Sequence, residues 1–131
     1  MYNRQYTPDA VTSLKVNEIF VFGSNLMGHH YGGAANIAHK HFGAVWGCGE
    51  GLYGQSYAIP TMQGGVDTIK PYVDDFIDFA ISHSELTFLV TKIGCGIAGF
   101  KIEDIAPLFA RAIAVDNIIL PEEFVRVIES Q

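Results

Sequence analysis

Positive charge is scarce in this chain. Eight Lys and Arg stand against 14 Asp and Glu in 131 residues, a formal net charge of −6. The eight are scattered from Arg4 to Arg126 with no run. Sequence-independent binding of nucleic acid needs clustered Lys and Arg to neutralise phosphates, so no direct nucleic-acid partner is expected. Cysteine occurs only as Cys48 and Cys95. That excludes a disulfide framework and a four-cysteine zinc site, and predicts two reduced thiols in a cytoplasmic protein. No apolar run reaches the ~18 residues of a membrane span. Met1-Tyr2-Asn3-Arg4-Gln5 also lacks the apolar segment of a secretory signal. Internal repeats, low-complexity tracts and linkers are absent from the sequence.

Apolar residues make up 49 % of the chain and aromatics 12 %, enough for a packed core and too many for a mainly disordered chain. One domain over residues 1–131 is expected at this length. Glycine stands out: of 14 in all, 11 fall from Gly23 to Gly65. An excess confined to one stretch marks backbone that turns tightly or approaches a ligand closely.

Apolar patterning predicts alternating strands and helices. Glu18–Phe22 reads as a buried strand stopped by Gly23. Ala34, Ile37, Ala38 and Phe42 repeat at helical spacing over 33–41. The glycine-rich connection Gly43–Gly54 reads as an ordered loop or a hairpin. Ser56–Pro60 is a second strand. A helix is expected from about Asp67 to His83, with Pro71 in its first turn. Leu86–Val90 is the strongest strand, extending toward Ile93. A helix over about Glu103–Ala114, a strand Asn117–Leu120 and a terminal helix opening at Pro121 complete the chain. The expected fold is α/β, with a mostly parallel or mixed sheet covered by helices on both faces, a three-layer α/β/α sandwich.

Ligands of open α/β sheets bind beyond the carboxyl ends of the strands. Two glycine-bearing segments fall there, Gly23–Ala35 and Gly94–Phe100. Gly32, Gly33 and Ala34 would present amides at a helix N-terminus, where an anion binds without a cationic side chain. Two such loops facing each other make a phosphate cradle of main chain, which reconciles an acidic protein with a phosphate-bearing ligand. Gly94-x-Gly96-x-x-Gly99 also matches the dinucleotide fingerprint. That fold needs a further mononucleotide half, and only 32 residues follow Gly99.

At these residues the chain resembles the macro domain superfamily of ADP-ribose-binding modules. Ile19–Asn25 followed by Gly32-Gly33-Ala34-Ala35 is similar to the macro strand ending in Asn and the glycine-rich loop after it. Ile93–Phe100 is similar to the second macro loop, which wraps the diphosphate. Gly33–Gly43 resembles the matching helix of the branch that includes terminal ADP-ribose glycohydrolases. Gly54–Thr61 together with Ile93–Phe100 resembles a bacterial and phage macro-like family. The resemblance spans most of Glu18–Leu120 and implies a role at each matching position. Asn25 would bind the distal ribose, and Gly32, Gly33 and Ala34 would approach that ribose and its phosphate. Gly94, Cys95, Gly96, Ile97, Ala98 and Gly99 would form the diphosphate loop, Phe100 would pack on a ribose, and Asp9 would hold the adenine amino group.

The departures bear on mechanism. Ala35 and Ala98 stand where hydrolytic macro branches carry acidic residues. Glycosidic cleavage then lacks an evident general base or nucleophile, and binding is expected in preference to hydrolysis. The competing reading is a hydrolase acting on an ADP-ribosyl or phosphate ester bond, with Asn25 orienting a water and His29 or His30 as base. A third reading is an interaction module with a degenerate pocket. Its apolar surface around Trp46 would bury in a homodimer. Trp46 and Tyr53 would stack on a base or fill the core. No metal is expected, because adjacent His29 and His30 do not readily converge on one ion and His39 and His41 face different ways. No cofactor is implied. Cys95, between glycines at an expected helix N-terminus, has a setting that lowers a thiol pKa but no partner histidine.

Overall fold

The computed structural model describes residues 4–130. Met1–Asn3, part of the segment read for a secretory signal, and Gln131 lie outside them. The elements in order are β1 (Glu18–Ser24), α1 (Gly33–His41), β2 (Gly51–Tyr53), β3 (Ser56–Pro60), α2 (Val66–Ile81), β4 (Thr87–Val90) and α3 (Ile102–Ile105). A 3₁₀ segment (Ala106–Ala114), β5 (Ile118–Ile119) and α4 (Glu122–Glu129) follow. The strands form one mixed five-stranded sheet in the order β2-β3-β1-β4-β5. Only the β2–β3 pair is antiparallel.

The open alternative for Gly43–Gly54 is settled by β2. Tyr53 pairs with Ser56, leaving Gly54-Gln55 as a two-residue hairpin loop whose first position has φ +59°. That conformation suits glycine, and it matches the twist of the flanking strands.

Alternation along β1 builds two apolar clusters. Ile19 and Val21 face a cluster with Tyr57, Ile59, Phe88 and Val90, closed by α2, the 3₁₀ segment and α4. Phe20 and Phe22 face the other way, packing with Ala58 and with Ala35 and Ala38 of α1. Phe22, Phe76, Phe88, Phe109 and Phe124 are fully buried, each worth about 1.5–3 kcal/mol of transfer free energy.

The structure departs from the sequence reading in three places. The helix expected over Glu103–Ala114 is one α turn followed by a 3₁₀ segment. Pro107 has no N–H for the i→i−4 ladder, and its ring crowds the carbonyl four residues back. Strand β4 stops at Val90. There Thr91 Oγ1 donates to the Val21 carbonyl at 2.8 Å and the Ile93 amide turns back onto Thr91 O at 2.8 Å. Helix α2 starts at Val66, so Pro71 lies inside it, in the second turn, and the Asp67 carbonyl forgoes its helical donor.

Candidate ligand cleft

Strand β1 lies between β3 and β4, reached by the chain on opposite sides of it. This is the arrangement in which a crevice opens beyond the carboxyl ends of parallel strands. A cleft of about 300 Å³ occupies that place, with Gly23-Ser24 from β1, Thr61-Met62 beyond β3 and Thr91-Lys92 beyond β4 on its walls. The two loops meet at its base. A Cβ on Gly23 would stand 3.2 Å from the Gly94 nitrogen and 3.2 Å from Thr61 Oγ1, so glycine lets the end of β1 approach the second loop.

The first loop is braced from behind. The Asn25 side chain closes a local ring: Nδ2 donates to the His29 carbonyl at 2.8 Å, and the His29 amide donates to Oδ1 at 2.9 Å. Ser24 Oγ donates to the Gly49 carbonyl, and the Gly47 amide donates to Gly28 O at 3.0 Å. A Cβ on Gly49 would land on the Asn25 carbonyl oxygen, and one on Gly28 on the Cys48 nitrogen. Backbone thus packs directly on backbone. Rings complete the brace. Trp46 stacks on His29 (centroids 5.3 Å, 15°) and meets Tyr31 edge-on at 4.9 Å. His30 Nε2 and His39 Nδ1 donate to the carbonyls of Val45 (3.0 Å) and Ala44 (2.9 Å).

Helix α1 opens from this loop into the cleft. Its N-cap is Gly32, with no side-chain cap and no acidic residue in the first turn, while His39, Lys40 and His41 fill the last turn. The first helical bond is from the Asn36 amide to Gly32 O, so the amides of Gly33, Ala34 and Ala35 are unused by the helix. All three residues line the cleft.

The second loop is held differently. Cys95 N–H donates to Lys92 O, Gly99 N–H to Gly96 O and Phe100 N–H to Gly94 O. Among the described residues, the amides of Gly94, Gly96, Ile97 and Ala98 donate to no protein group, and these four residues line the cleft. Gly96 and Gly99 have open space where a Cβ would stand. Ile97, 74 % exposed, reaches across, its Cδ1 lying 3.5 Å from where a Cβ on Gly32 would be.

Several expected site residues lie elsewhere. His30 is 1 % exposed and does not line the cleft, whereas His29 does. Asp9 is an exposed group 3.7 Å from Lys92 Nζ, outside the cleft lining. Phe100 and Cys95 are half-buried against the main core, and Gly99 closes the loop's turn. The helix after this loop begins at Ile102 and is a single turn, so Cys95 is not at a helix N-terminus. Burial pushes its thiol pKa up, and Lys92 only partly opposes the shift. Sequence reasoning singled out neither Tyr31, Thr61, Met62, Thr91 nor Lys92 as site residues. Four of these follow the ends of β3 and β4, the signal that was available.

Among the described residues, no group of three His, Cys, Asp or Glu is placed to hold a metal ion. Nor is any helix among them long and apolar enough to cross a membrane. No protein-family model, curated protein or solved structure matches this chain.

Proposed function

We propose that the chain is a macro-like α/β/α sandwich that binds ADP-ribose or a related nucleotide diphosphate in this cleft, holding the phosphates by main-chain amides. One observation carries the reading. Seven amides without protein acceptors, those of Gly33, Ala34, Ala35, Gly94, Gly96, Ile97 and Ala98, belong to residues lining one cleft. Donors at a helix N-terminus and in a glycine turn suit oxyanions. Binding is favoured over hydrolysis because, among the described residues, no Asp or Glu lines the cleft, and Ala35 and Ala98 both stand in it. Among the described residues, His29 is the one imidazole in the lining, so a hydrolytic activity would rest on it as base, with Asn25 orienting the water.

Calorimetry with ADP-ribose tests the reading. The wild type is expected to bind, and Gly96→Glu, which places a carboxylate among the amides, to lose affinity by about a hundredfold. Lack of wild-type binding at millimolar ligand would overturn it. Incubation with ADP-ribosylated protein separates the alternatives, since turnover would make the chain a hydrolase.

A further inference from the structure

Among the described residues, Lys92 is the one Lys or Arg that lines the cleft, yet its ammonium is already engaged. Nζ lies 2.6 Å from Glu123 Oε2, at the start of α4, and 3.7 Å from Asp9 Oδ1, in the N-terminal segment. The Glu123 hydrogen bond raises the Lys92 pKa, and the same bond lowers that of Glu123. Both stay ionised at neutral pH. Two carboxylates and one ammonium give the trio a formal charge of −1, beside a cleft whose donors are neutral amides.

Amide dipoles suffice for a diphosphate. A third phosphate would face the extra negative charge of the trio, or would have to draw Lys92 away from Glu123 and leave two carboxylates without their cation.

We propose that the Glu123–Lys92–Asp9 cluster sets the charge preference of the cleft, selecting a diphosphate whose remaining groups are uncharged over one bearing a third phosphate. The inference rests on the diphosphate reading above. Lys92 is the specificity-determining residue, because it borders the cleft. Glu123 and Asp9 are positioning residues that act through it.

The test is calorimetric titration of ADP-ribose and ADP-ribose-1″-phosphate into the wild type, Glu123→Gln, Lys92→Gln and the double variant, with thermal melts to verify folding. The wild type is expected to prefer ADP-ribose by about threefold or more at low salt, the size of one unit charge acting within a Debye length. Glu123→Gln should tighten the phosphorylated ligand by about threefold and leave ADP-ribose within about twofold. The double variant should lose that gain, which a purely structural effect of Glu123 would not cause, and Glu123→Asp should keep the wild-type ratio. An equal change for both ligands, or a gain that survives in the double variant, overturns the role of the cluster and leaves the diphosphate reading standing. Failure of both ligands to bind the wild type overturns both.

Discussion

The two glycine loops at the cleft use the same residue for opposite ends. Where the first loop meets the Gly43–Gly54 connection behind it, glycine is filled space. Gly28 and Gly49 have no room for a Cβ because the chain from Gly47 to Gly49 packs directly on the backbone of Asn25–Gly28. In the second loop Gly94 is close-packed, a Cβ there meeting Ile105 Cδ1 at 3.1 Å, but Gly96 and Gly99 are empty space, with nothing near the Cβ position. One loop is a wall made rigid by close approach and by the Trp46 ring cluster. The other is a turn whose amides are left open to the cleft. Substitution should therefore separate stability from binding, and the two loops should respond in opposite ways.

The largest effect is expected at Gly49. Gly49→Ala drives a methyl into the Asn25 carbonyl and should destabilise the fold by about 3 kcal/mol, as overpacking does, read as a fall in the denaturant midpoint. A midpoint equal to wild type would show that the contact between the first loop and the connection behind it yields easily, and would erase the contrast. Gly96→Glu should leave that midpoint within about 0.5 kcal/mol of wild type while weakening binding by about a hundredfold. Trp46→Ala should cost about 2 kcal/mol through the lost ring contacts. It should also speed hydrogen exchange at His29 and Gly28 and leave Ile97 and Ala98 unchanged.

The smallest effects are those of pH. Burial pushes the Tyr57 hydroxyl up to about 12 from the ordinary tyrosine value. The folded state therefore holds this proton more tightly than the unfolded chain. Its contribution is complete below about pH 10 and is lost as pH rises toward 12. Tyr57→Phe should flatten that alkaline slope. Glu123 is shifted the other way, downward by its hydrogen bond to Lys92. Its small contribution is present above the ordinary carboxylate range and is lost as pH falls through the depressed value. Glu123→Gln should remove this acid limb and leave the alkaline one.

Strand positions were legible because short apolar runs rich in β-formers survive in a single sequence: Ile19–Phe22 is such a run, and the structure buries it on both faces. The helix ends were less so. Pro107 announced itself, but whether it opens a helix or converts one to 3₁₀ depends on packing that no local pattern carries. The two loops were readable as candidates because each follows a strand. Tertiary contact alone assigns the glycines in and behind them, since Gly49 and Gly96 look alike until one lies on Asn25 and the other beside open space. The same holds for the two histidines: His29 and His30 are neighbours in sequence, yet one borders the cleft and the other is sealed beneath Trp46 and Phe22. Lys92 went unread because the strand was expected to extend toward Ile93, whereas β4 ends at Val90.

In the proposed binding mode, unsatisfied main-chain amides of two loops hold the ligand. This mode is tested most directly by amide-resolved NMR during titration with ADP-ribose. Shifts are expected at Gly33, Ala34, Ala35, Gly94, Gly96, Ile97 and Ala98, with Gly47, Gly51 and Gly54 unmoved. Saturable binding that leaves those seven amides in place, or that moves the hairpin glycines instead, would contradict it.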